Sequence, residues 1–245
     1  MSQTIQNLFF QYQNLYLQGI QTTLLVALTG TILGLLLGFI LSGMRLIRIS
    51  DKDNGFIKIM KIILRFLSAA YIEFVRGTPM MVQAVFLYNY FYRILQWTPM
   101  VAAIIIVSLN TAAYMSEIIR SGIQSVDPGQ REAALTIGMS ETQAFRLIIL
   151  PQAVRNAFPS IGNEFVVNIK DTSVLNVIGL TELFFQGMSV AGTTYKFSET
   201  MIIIAAIYFG LTFITTRVLM VIEKSLGLPV QALQSQTVPL GGVKK

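Results

Sequence analysis

The chain has 245 residues, of which 53% are hydrophobic and only 12% are charged, and it contains no cysteine and no histidine. These values exclude a disordered chain, a disulfide-stabilised domain, a Cys/His zinc site and any enzyme that depends on a histidine base. The net charge of +6 does not indicate nucleic-acid binding, because the basic residues are not clustered with stacking aromatic residues. Long apolar runs instead predict an all-α integral membrane protein.

Five crossings of the membrane are predicted. Residues 1–19 contain no Lys or Arg, so they lack the basic start of a signal peptide and are expected to form an extracytoplasmic N-terminal segment. A transmembrane domain over residues 20–225 and a cytoplasmic tail over residues 226–245 are expected to follow. The predicted crossings are Thr22–Met44, one within residues 57–96, Met100–Ile119, Phe145–Val167 and Met201–Ile222.

The first crossing carries a stripe of small residues. Gly30, Gly34 and Gly38 recur every four residues, and Ser42 continues the stripe. Small residues let the backbones of two helices approach closely in lipid, so the stripe predicts a helix–helix contact. The alternative is that these glycines have no packing role, since glycine is common in membrane helices.

Residues 57–96 would form a helix about 60 Å long, twice the hydrocarbon thickness. Lys58, Lys61 and Arg65 form a basic stripe that suits the membrane surface. The sequence Arg76–Pro79 (Arg-Gly-Thr-Pro) then predicts an interruption of the helix, because glycine and proline disfavour its continuation.

The number of crossings within residues 57–96 follows from parity. The charged stretches 45–56 and 121–144 are both predicted to be cytoplasmic, so an even number of crossings must separate them. Since Met100–Ile119 is one crossing, residues 57–96 are expected to cross once.

The positions of Lys and Arg predict the orientation. Most of the 18 lie in or beside the stretches 45–65, 120–155 and 217–245, which are therefore predicted to be cytoplasmic. The N-terminus is then outside and the C-terminus inside. The exceptions are Arg76, Arg93, Lys170 and Lys196.

The residues expected to form an interfacial aromatic belt are Tyr88, Tyr90, Tyr92 and Trp97.

Residues 127–144 predict two short helices joined at a glycine. Asp127 is a typical N-cap, and Pro128 suits the first helical position. The first helix is expected to stop at Gly138. Ser140 and Gln143 then have the spacing of a capping box. On local physics alone, this segment is equally well explained as an ordinary capped loop.

The same segment resembles the EAA signature of ABC-importer permeases. The matching residues are Glu132-Ala133-Ala134, Gly138, Ile148 and Leu150-Pro151, with the family's spacing. Other segments resemble the polar amino acid uptake branch, which includes histidine, glutamine, arginine and cystine permeases. These segments are Phe74–Gln83, Ala113–Arg120, Gly122–Val126, Pro159–Phe165 and Ile169–Ser173.

The resemblance implies a MetI-like type I importer fold in which residues 127–151 form the loop that couples to a cytoplasmic ATPase. It implies ATP-binding cassette subunits, a second permease copy or homologue, and an extracytoplasmic amino-acid-binding protein as partners. ATP and Mg would be bound by the ATPase, since this chain has no phosphate-binding loop and is expected to need no cofactor or metal of its own. The coupling residues are then Arg131, Glu132, Ala133, Ala134 and Gly138.

Charged groups within the membrane are costly and tend to mark transport pathways. Arg76 can bind a carboxylate, and an acidic residue can accept an ammonium group. The broken helix near Gly77 can offer free backbone groups. The candidate pathway residues are Glu73, Arg76, Gly77, Thr78, Pro79, Gln83, Asn110, Glu117, Asn163, Glu164, Lys170, Asp171, Thr172 and Ser173.

Structural alternatives exist for several of these residues. Arg76, Lys170 and Asp171 can instead lie at the outer headgroup level. Glu73 can pair with Arg76, and Glu117 can pair with Arg120. At the level of the whole chain, the alternatives are an ATP-independent secondary transporter or channel, and a membrane enzyme. The first is disfavoured because the halves show no clear repeat.

Overall fold

The computed structural model describes residues 1–47, 49–51 and 53–227. All regular elements within these ranges are helical, as the sequence predicts. Arg48, Lys52 and nearly all of the predicted tail at 226–245 lie outside the described residues. The helices are α1 (Ser2–Gln11), α2 (Gln13–Leu46), α3 (Gly55–Gly77), α4 (Met80–Leu95), α5 (Pro99–Gln124), α6 (Pro128–Thr136), α7 (Glu141–Ala144), α8 (Leu150–Asp171), α9 (Leu183–Thr194) and α10 (Phe197–Ser225).

Three of these helices, α2, α5 and α10, are long and apolar enough to cross a membrane. A fourth candidate is Glu141–Ile178 taken together with α9, although the pair is bent by 55°. The remaining predicted crossing corresponds to α3 and α4. Helix α3 begins with the basic stripe, and α4 has only 16 residues. In the described residues, three or four segments are therefore long and apolar enough to cross a membrane. The count of five crossings stays a prediction.

Several boundaries differ from the sequence expectation, among them those of α2 and α8. Helix α2 begins at Gln13, nine residues before the predicted start of the first crossing, and α1 precedes it. Residues 13–21 include three glutamines and an asparagine but no proline, and glutamine is a good helix former, so the helix begins before the predicted crossing. Helix α8 extends to Asp171 rather than ending at Val167, and a 3₁₀ turn over Thr172–Ile178 follows it.

The chain divides into two compact units. Unit 1 consists of Met1–Glu117 and Glu164–Phe213, and unit 2 consists of Ile118–Asn163 and the residues from Ile214 onward. Each unit takes part of α5, α8 and α10.

In unit 1, the glycine stripe of α2 packs directly on α5. A Cβ atom placed on Gly30, Gly34 or Gly38 would lie 2.5–2.7 Å from side-chain atoms of α5. Those atoms belong to Val107, Thr111 and Met115 respectively. The predicted helix–helix contact is therefore confirmed, and the interpretation of these glycines as having no packing role is wrong.

A buried amide joins three helices of unit 1. Asn168 on α8 is 3% exposed, and its Nδ2 donates hydrogen bonds to Thr31 Oγ1 on α2 at 2.8 Å and to Thr111 Oγ1 on α5 at 3.0 Å. Polar groups in an apolar interior need such partners. The network fixes the rotation of α8 about its axis, and with it the direction of the residues on either side of Asn168.

The aromatic residues near the end of α4 do not all belong to an interfacial belt. Tyr90 and Tyr92 are exposed, as a belt requires. Trp97, however, is only 8% exposed and packs in a core with Val26, Ala102 and Leu175. Its Nε1 donates to Tyr88 O at 3.4 Å. The belt interpretation is therefore wrong for Trp97, because residues distant in sequence fold around it.

The segment before α3 neutralises part of the basic stripe. Lys61 Nζ donates to both carboxylate oxygens of Asp53 at 2.7–2.8 Å, and Lys58 Nζ lies 3.9 Å from Asp51. The hydrogen bond from Lys61 and the backbone N–H of Ser50 hold the pKa of Asp53 below its usual range. Two of the three residues of the stripe, Lys58 and Lys61, are thus paired with acidic residues of their own chain.

Unit 2 contains the end of α5 and the start of α8, which pack closely. A Cβ atom on Gly122 would lie 2.7 Å from Ala153 O and 2.9 Å from the Ala157 Cβ. Asn156 Nδ2 donates to Ser125 Oγ at 2.8 Å across the same contact. Helices α6 and α7 lie between these two segments in sequence.

Candidate functional site

Two arrangements carry the candidate functional residues, one in each unit. The first is the helical corner, residues 127–144 of unit 2. Asp127 Oδ1 accepts a hydrogen bond from Gly129 N at 2.7 Å, and Pro128 is the first residue of α6. The predicted N-cap is confirmed.

The turn of the helical corner depends on Gly138, which has a φ of +88°. This left-handed conformation strains any residue with a Cβ atom. Ser140 and Gln143 then form the predicted capping box: Gln143 N donates to Ser140 Oγ at 3.3 Å, and Ser140 N donates to Gln143 Oε1 at 2.9 Å. Two short helices are therefore held at a defined angle by local bonds.

The exposed side of the helical corner differs from the predicted coupling set. Glu132, Ala133 and Gly138 are exposed. Ala134 is only 4% exposed, so it packs within its own chain and is not available to a partner. Arg131 Nε lies 3.0 Å from Glu141 Oε2, which makes it a tie between α6 and α7.

Sequence reasoning missed Ile137, which is 76% exposed at the tip of the helical corner. An apolar side chain this exposed beside Gly138 extends the apolar surface that Ala133 begins. Its signal was its position four residues after Ala133, on the same helix face and directly before the glycine.

The second arrangement lies in unit 1, where the chain breaks between α3 and α4. Thr78 and Pro79 have extended backbone conformations, so the predicted interruption is confirmed. The break removes helical partners from the last carbonyl groups of α3. Gln83 Nε2 donates to Val75 O at 2.8 Å and to Thr78 O at 3.1 Å, and Thr78 Oγ1 donates to Phe74 O at 2.9 Å.

Gln83 therefore supports the break. Its Oε1 accepts a hydrogen bond from Asn110 Nδ2 on α5 at 3.1 Å, which fixes the break against α5. The expectation of free backbone groups near Gly77 is wrong for the carbonyl of Thr78, since Gln83 donates to it; the carbonyls of Val75 and Phe74 are likewise satisfied by side chains of the same segment.

A cavity of about 450 Å³ lies at this break. Its size is within the usual range of small-molecule sites, about 300–1,000 Å³. Helices α3, α4, α5 and α8 contribute to it. The lining residues are Arg76, Gly77, Thr78, Pro79, Met80, Asn110, Tyr114, Glu164, Val167 and Asp171.

The cavity is lined by one cation and two acids. The guanidinium carbon of Arg76 lies 5.5 Å from the centre of the Tyr114 ring, within cation–π range. Glu164 and Asp171 are seven residues apart on α8, so they lie on one face of the helix, two turns apart. The cavity thus presents positive and negative groups to one small volume, an arrangement that suits a zwitterion.

Seven of the fourteen predicted pathway residues line the cavity together: Arg76, Gly77, Thr78, Pro79, Asn110, Glu164 and Asp171. Arg76 and Asp171 line one cavity, and their depth in the membrane stays a prediction. Arg76 pairs with Glu117, whose Oε2 lies 3.8 Å from its Nη1, so the proposed pairing with Glu73 does not account for its position.

The other predicted pathway residues lie outside the lining. Glu73, Asn163 and Lys170 are exposed, because they fall on helix faces other than the one that carries the cavity residues. Thr172 and Ser173 bond to their own backbone, donating to Ile169 O at 2.9 Å and Lys170 O at 2.7 Å. Gln83 and Glu117 do not line the cavity, but each contacts a residue that does: Gln83 bonds to Asn110, and Glu117 pairs with Arg76.

Sequence reasoning missed Met80, Tyr114 and Val167 as lining residues. Helical spacing offered a signal for two of them. Tyr114 follows the predicted Asn110 by four residues, and Val167 follows Glu164 by three, so each lies on the same helix face as a predicted residue.

Comparisons of sequence and structure identify known proteins that are similar to this chain over the cavity and the helical corner. The probable amino-acid permease protein YxeN of Bacillus subtilis is 42% identical over 171 residues, which are 68% of this chain and 76% of that protein. The arginine transport system permease protein ArtQ of Bacillus subtilis is 34% identical over 212 residues, covering 86% of this chain and 91% of that protein.

A solved structure described as an amino acid ABC transporter with histidines has the same fold. It superposes with a TM-score of 0.79 at 34% identity, covering 89% of this chain and 96% of that chain. Residues 58–227, which include both the cavity and the helical corner, match the family described as "Binding-protein-dependent transport system inner membrane component". This chain therefore belongs to the family of inner membrane components of binding-protein-dependent transport systems.

Proposed function

We propose that this chain is the permease subunit of an importer that moves polar amino acids across the cytoplasmic membrane, and that the cavity at the α3–α4 break binds them. The observation that carries this proposal is the convergence of Arg76, Glu164 and Asp171 on one cavity. Relatives that are amino-acid permeases support the class of cargo.

The chemistry of a free amino acid matches these groups. Arg76 provides a planar set of donors for the α-carboxylate. Glu164 or Asp171 accepts the α-ammonium, and Asn110 adds a neutral hydrogen-bonding group. Since each charge of the cargo meets an opposite charge, the cost of removing it from water is reduced.

The partners follow from the family and from the helical corner. Two ATP-binding cassette subunits hydrolyse ATP with Mg and contact the exposed residues Glu132, Ala133, Ile137 and Gly138. A second permease, either a copy or a homologue, completes the membrane part. An extracytoplasmic binding protein delivers the amino acid. The N-terminus lies outside and the C-terminus inside.

The cavity assignment is tested by binding to the purified complex of permease and ATPase. Radiolabelled L-arginine, L-glutamine and L-cystine are the probes. Arg76→Ala is expected to weaken the best-bound probe at least tenfold, because a charge-assisted, partly buried pair contributes about 1.5–3 kcal/mol. Arg93→Ala, an exposed arginine at the end of α4, is the matched control and is expected to bind normally.

Two results would count against this assignment. One is unchanged affinity in Arg76→Ala. The other is equal loss in Arg76→Ala and Arg93→Ala, since that would indicate a general effect of removing positive charge.

A further inference from the structure

Glu117 on α5 lies between two arginines that come from different helices. Its Oε1 pairs with Nη1 of Arg45, in the last turn of α2, and its Oε2 lies 3.8 Å from Nη1 of Arg76, in the last turn of α3. The carboxylate is mostly buried, with 16% of its side chain exposed. One buried carboxylate thus divides its two oxygens between the cavity arginine and an arginine outside the cavity lining.

The two pairs differ in geometry. Arg45 is within hydrogen-bonding distance of Glu117. The separation of Arg76 from Glu117 exceeds the usual limit of a hydrogen bond, so this second pair is electrostatic and loose. The side chain of Arg76 is 44% exposed, and its guanidinium also lies over the ring face of Tyr114. Arg76 is therefore held near the cavity without having its donors saturated.

Among the described residues that line the cavity, Arg76 carries the only positive charge. An anion that binds to this guanidinium competes there with Glu117. The strength of that competition depends on how much of the Glu117 charge is already engaged by Arg45. These three residues therefore form one electrostatic unit, in which a change at Arg45 alters Arg76.

We propose that Glu117 is a positioning residue that acts as the internal counter-ion of Arg76 and is displaced when a cargo carboxylate binds, with Arg45 setting how strongly it competes. The proposal rests on the proposed function of the cavity. Cargo binding then releases Glu117 from Arg76, so occupancy of the cavity alters the ion pair with Arg45 at the end of α2.

The proposal predicts opposite effects for two variants of the same unit. Glu117→Gln removes the competing charge, so affinity for the amino acid is expected to rise about fivefold. Arg45→Gln removes one of the cations that engage Glu117 and leaves more of the carboxylate charge to Arg76, so affinity is expected to fall about threefold. A purely structural role for the ion pairs predicts that both variants weaken binding.

The experiment measures the dissociation constant of the complex of permease and ATPase for the best-bound of radiolabelled L-arginine, L-glutamine and L-cystine. Its carboxamide derivative, which lacks the α-carboxylate, is the second probe. Glu117→Gln is expected to tighten the amino acid but leave the carboxamide unchanged. Glu199→Gln, an acid in the first turn of α10 outside the cavity lining, is the control and is expected to change neither.

Glu117→Asp keeps the charge but shortens the side chain, and it serves if the glutamine variant does not assemble. It is expected to tighten amino acid binding less than Glu117→Gln would. Shifts of the same sign in the Glu117 and Arg45 variants, or an equal gain for the carboxamide, would overturn the proposal. The Arg76→Ala variant distinguishes failure of the cavity assignment from failure of the counter-ion proposal. If it retains affinity, or if no probe binds the wild-type complex, the cavity assignment fails; if it loses affinity while Glu117→Gln and Glu117→Asp change nothing, only the counter-ion proposal fails.

Discussion

At the scale of single residues, Gly138 sets the direction of the chain between α6 and α7. Its φ of +88° is accessible to glycine without strain. Space is not the restriction at this position, because a Cβ atom placed there would meet no atom within 4 Å. The requirement for glycine is therefore conformational rather than a matter of space. A side chain at this position would strain the backbone of residue 138 itself. Movement of neighbouring residues would not relieve that strain, because no steric clash causes it.

Gly138→Val is expected to destabilise the helical corner by about 1–2 kcal/mol, because a β-branched residue disfavours the left-handed region. If the helical corner contacts the ATPase as proposed, uptake by reconstituted vesicles falls while ATP hydrolysis continues. Gly210→Val is the control, since Gly210 lies within α10, has no positive φ and has open space around its Cβ position. Normal coupled uptake in Gly138→Val would contradict the assignment of this turn.

Residue-scale signals also explain what the sequence could predict. Asp127, Ser140 and Gln143 were predictable because a cap depends on residues two or three positions away. Trp97 and Ala134 were not, because their burial depends on residues distant in the chain. The sequence can identify a small residue at position 134, but the side of the helix on which the chain folds back is set by tertiary packing.

At the scale of elements, the α2–α5 contact determines how closely the parts of unit 1 approach. The nearest residues of α5 to the three glycines of the stripe are Val107, Thr111 and Met115, which are four residues apart like the glycines themselves. The same helix contains Gly43, next to the stripe in sequence, whose Cβ position has nothing within 4 Å. Helix α2 therefore contains glycines that are needed for packing and one that is not.

Gly34→Leu is expected to destabilise the permease by about 1–3 kcal/mol, because the added side chain overlaps Thr111 and forces α2 away from α5. Gly43→Leu adds the same side chain to the same helix and is expected to have little effect. Thermal unfolding of the detergent-solubilised complex, followed by size-exclusion chromatography, compares the two. Equal melting temperatures for both variants would contradict the assigned contact.

The break between α3 and α4 was predictable from Arg76–Pro79, but the cavity was not. A helix interruption has a local cause, whereas the cavity requires Asn110 from α5 and Asp171 from α8. Six of the seven predicted residues that line the cavity are intramembrane charges or part of the interruption, and the seventh, Asn110, is a neutral hydrogen-bonding residue. Glu73 and Lys170 were chosen by the same reasoning and are exposed, because charge alone does not specify which face of a helix is turned inward.

At the scale of the whole molecule, the distribution of Lys and Arg predicts which ends of the helices face the cell interior. The structure gives the lengths and apolar character of the helices, and the orientation rests on charge. The chain contains no cysteine, so single cysteines can report the side of the membrane without background labelling.

Ile137→Cys, in the helical corner, is expected to react with an impermeant maleimide only in inside-out vesicles. Tyr195→Cys, between α9 and α10, is expected to react from outside intact cells. Both side chains are exposed in the structure, at 76% and 83% respectively, so differences in reactivity report sidedness rather than burial. Labelling of Ile137→Cys from outside would reverse the proposed orientation and remove the helical corner from contact with a cytoplasmic ATPase.

The most direct test of the central claim is amino acid accumulation in vesicles that contain the permease, its ATPase and the binding protein. With ATP inside, wild-type vesicles are expected to accumulate the labelled amino acid above its external concentration, and vesicles with Arg76→Ala are not. Accumulation that proceeds equally without ATP, or that is unaffected by loss of Arg76, would contradict the account.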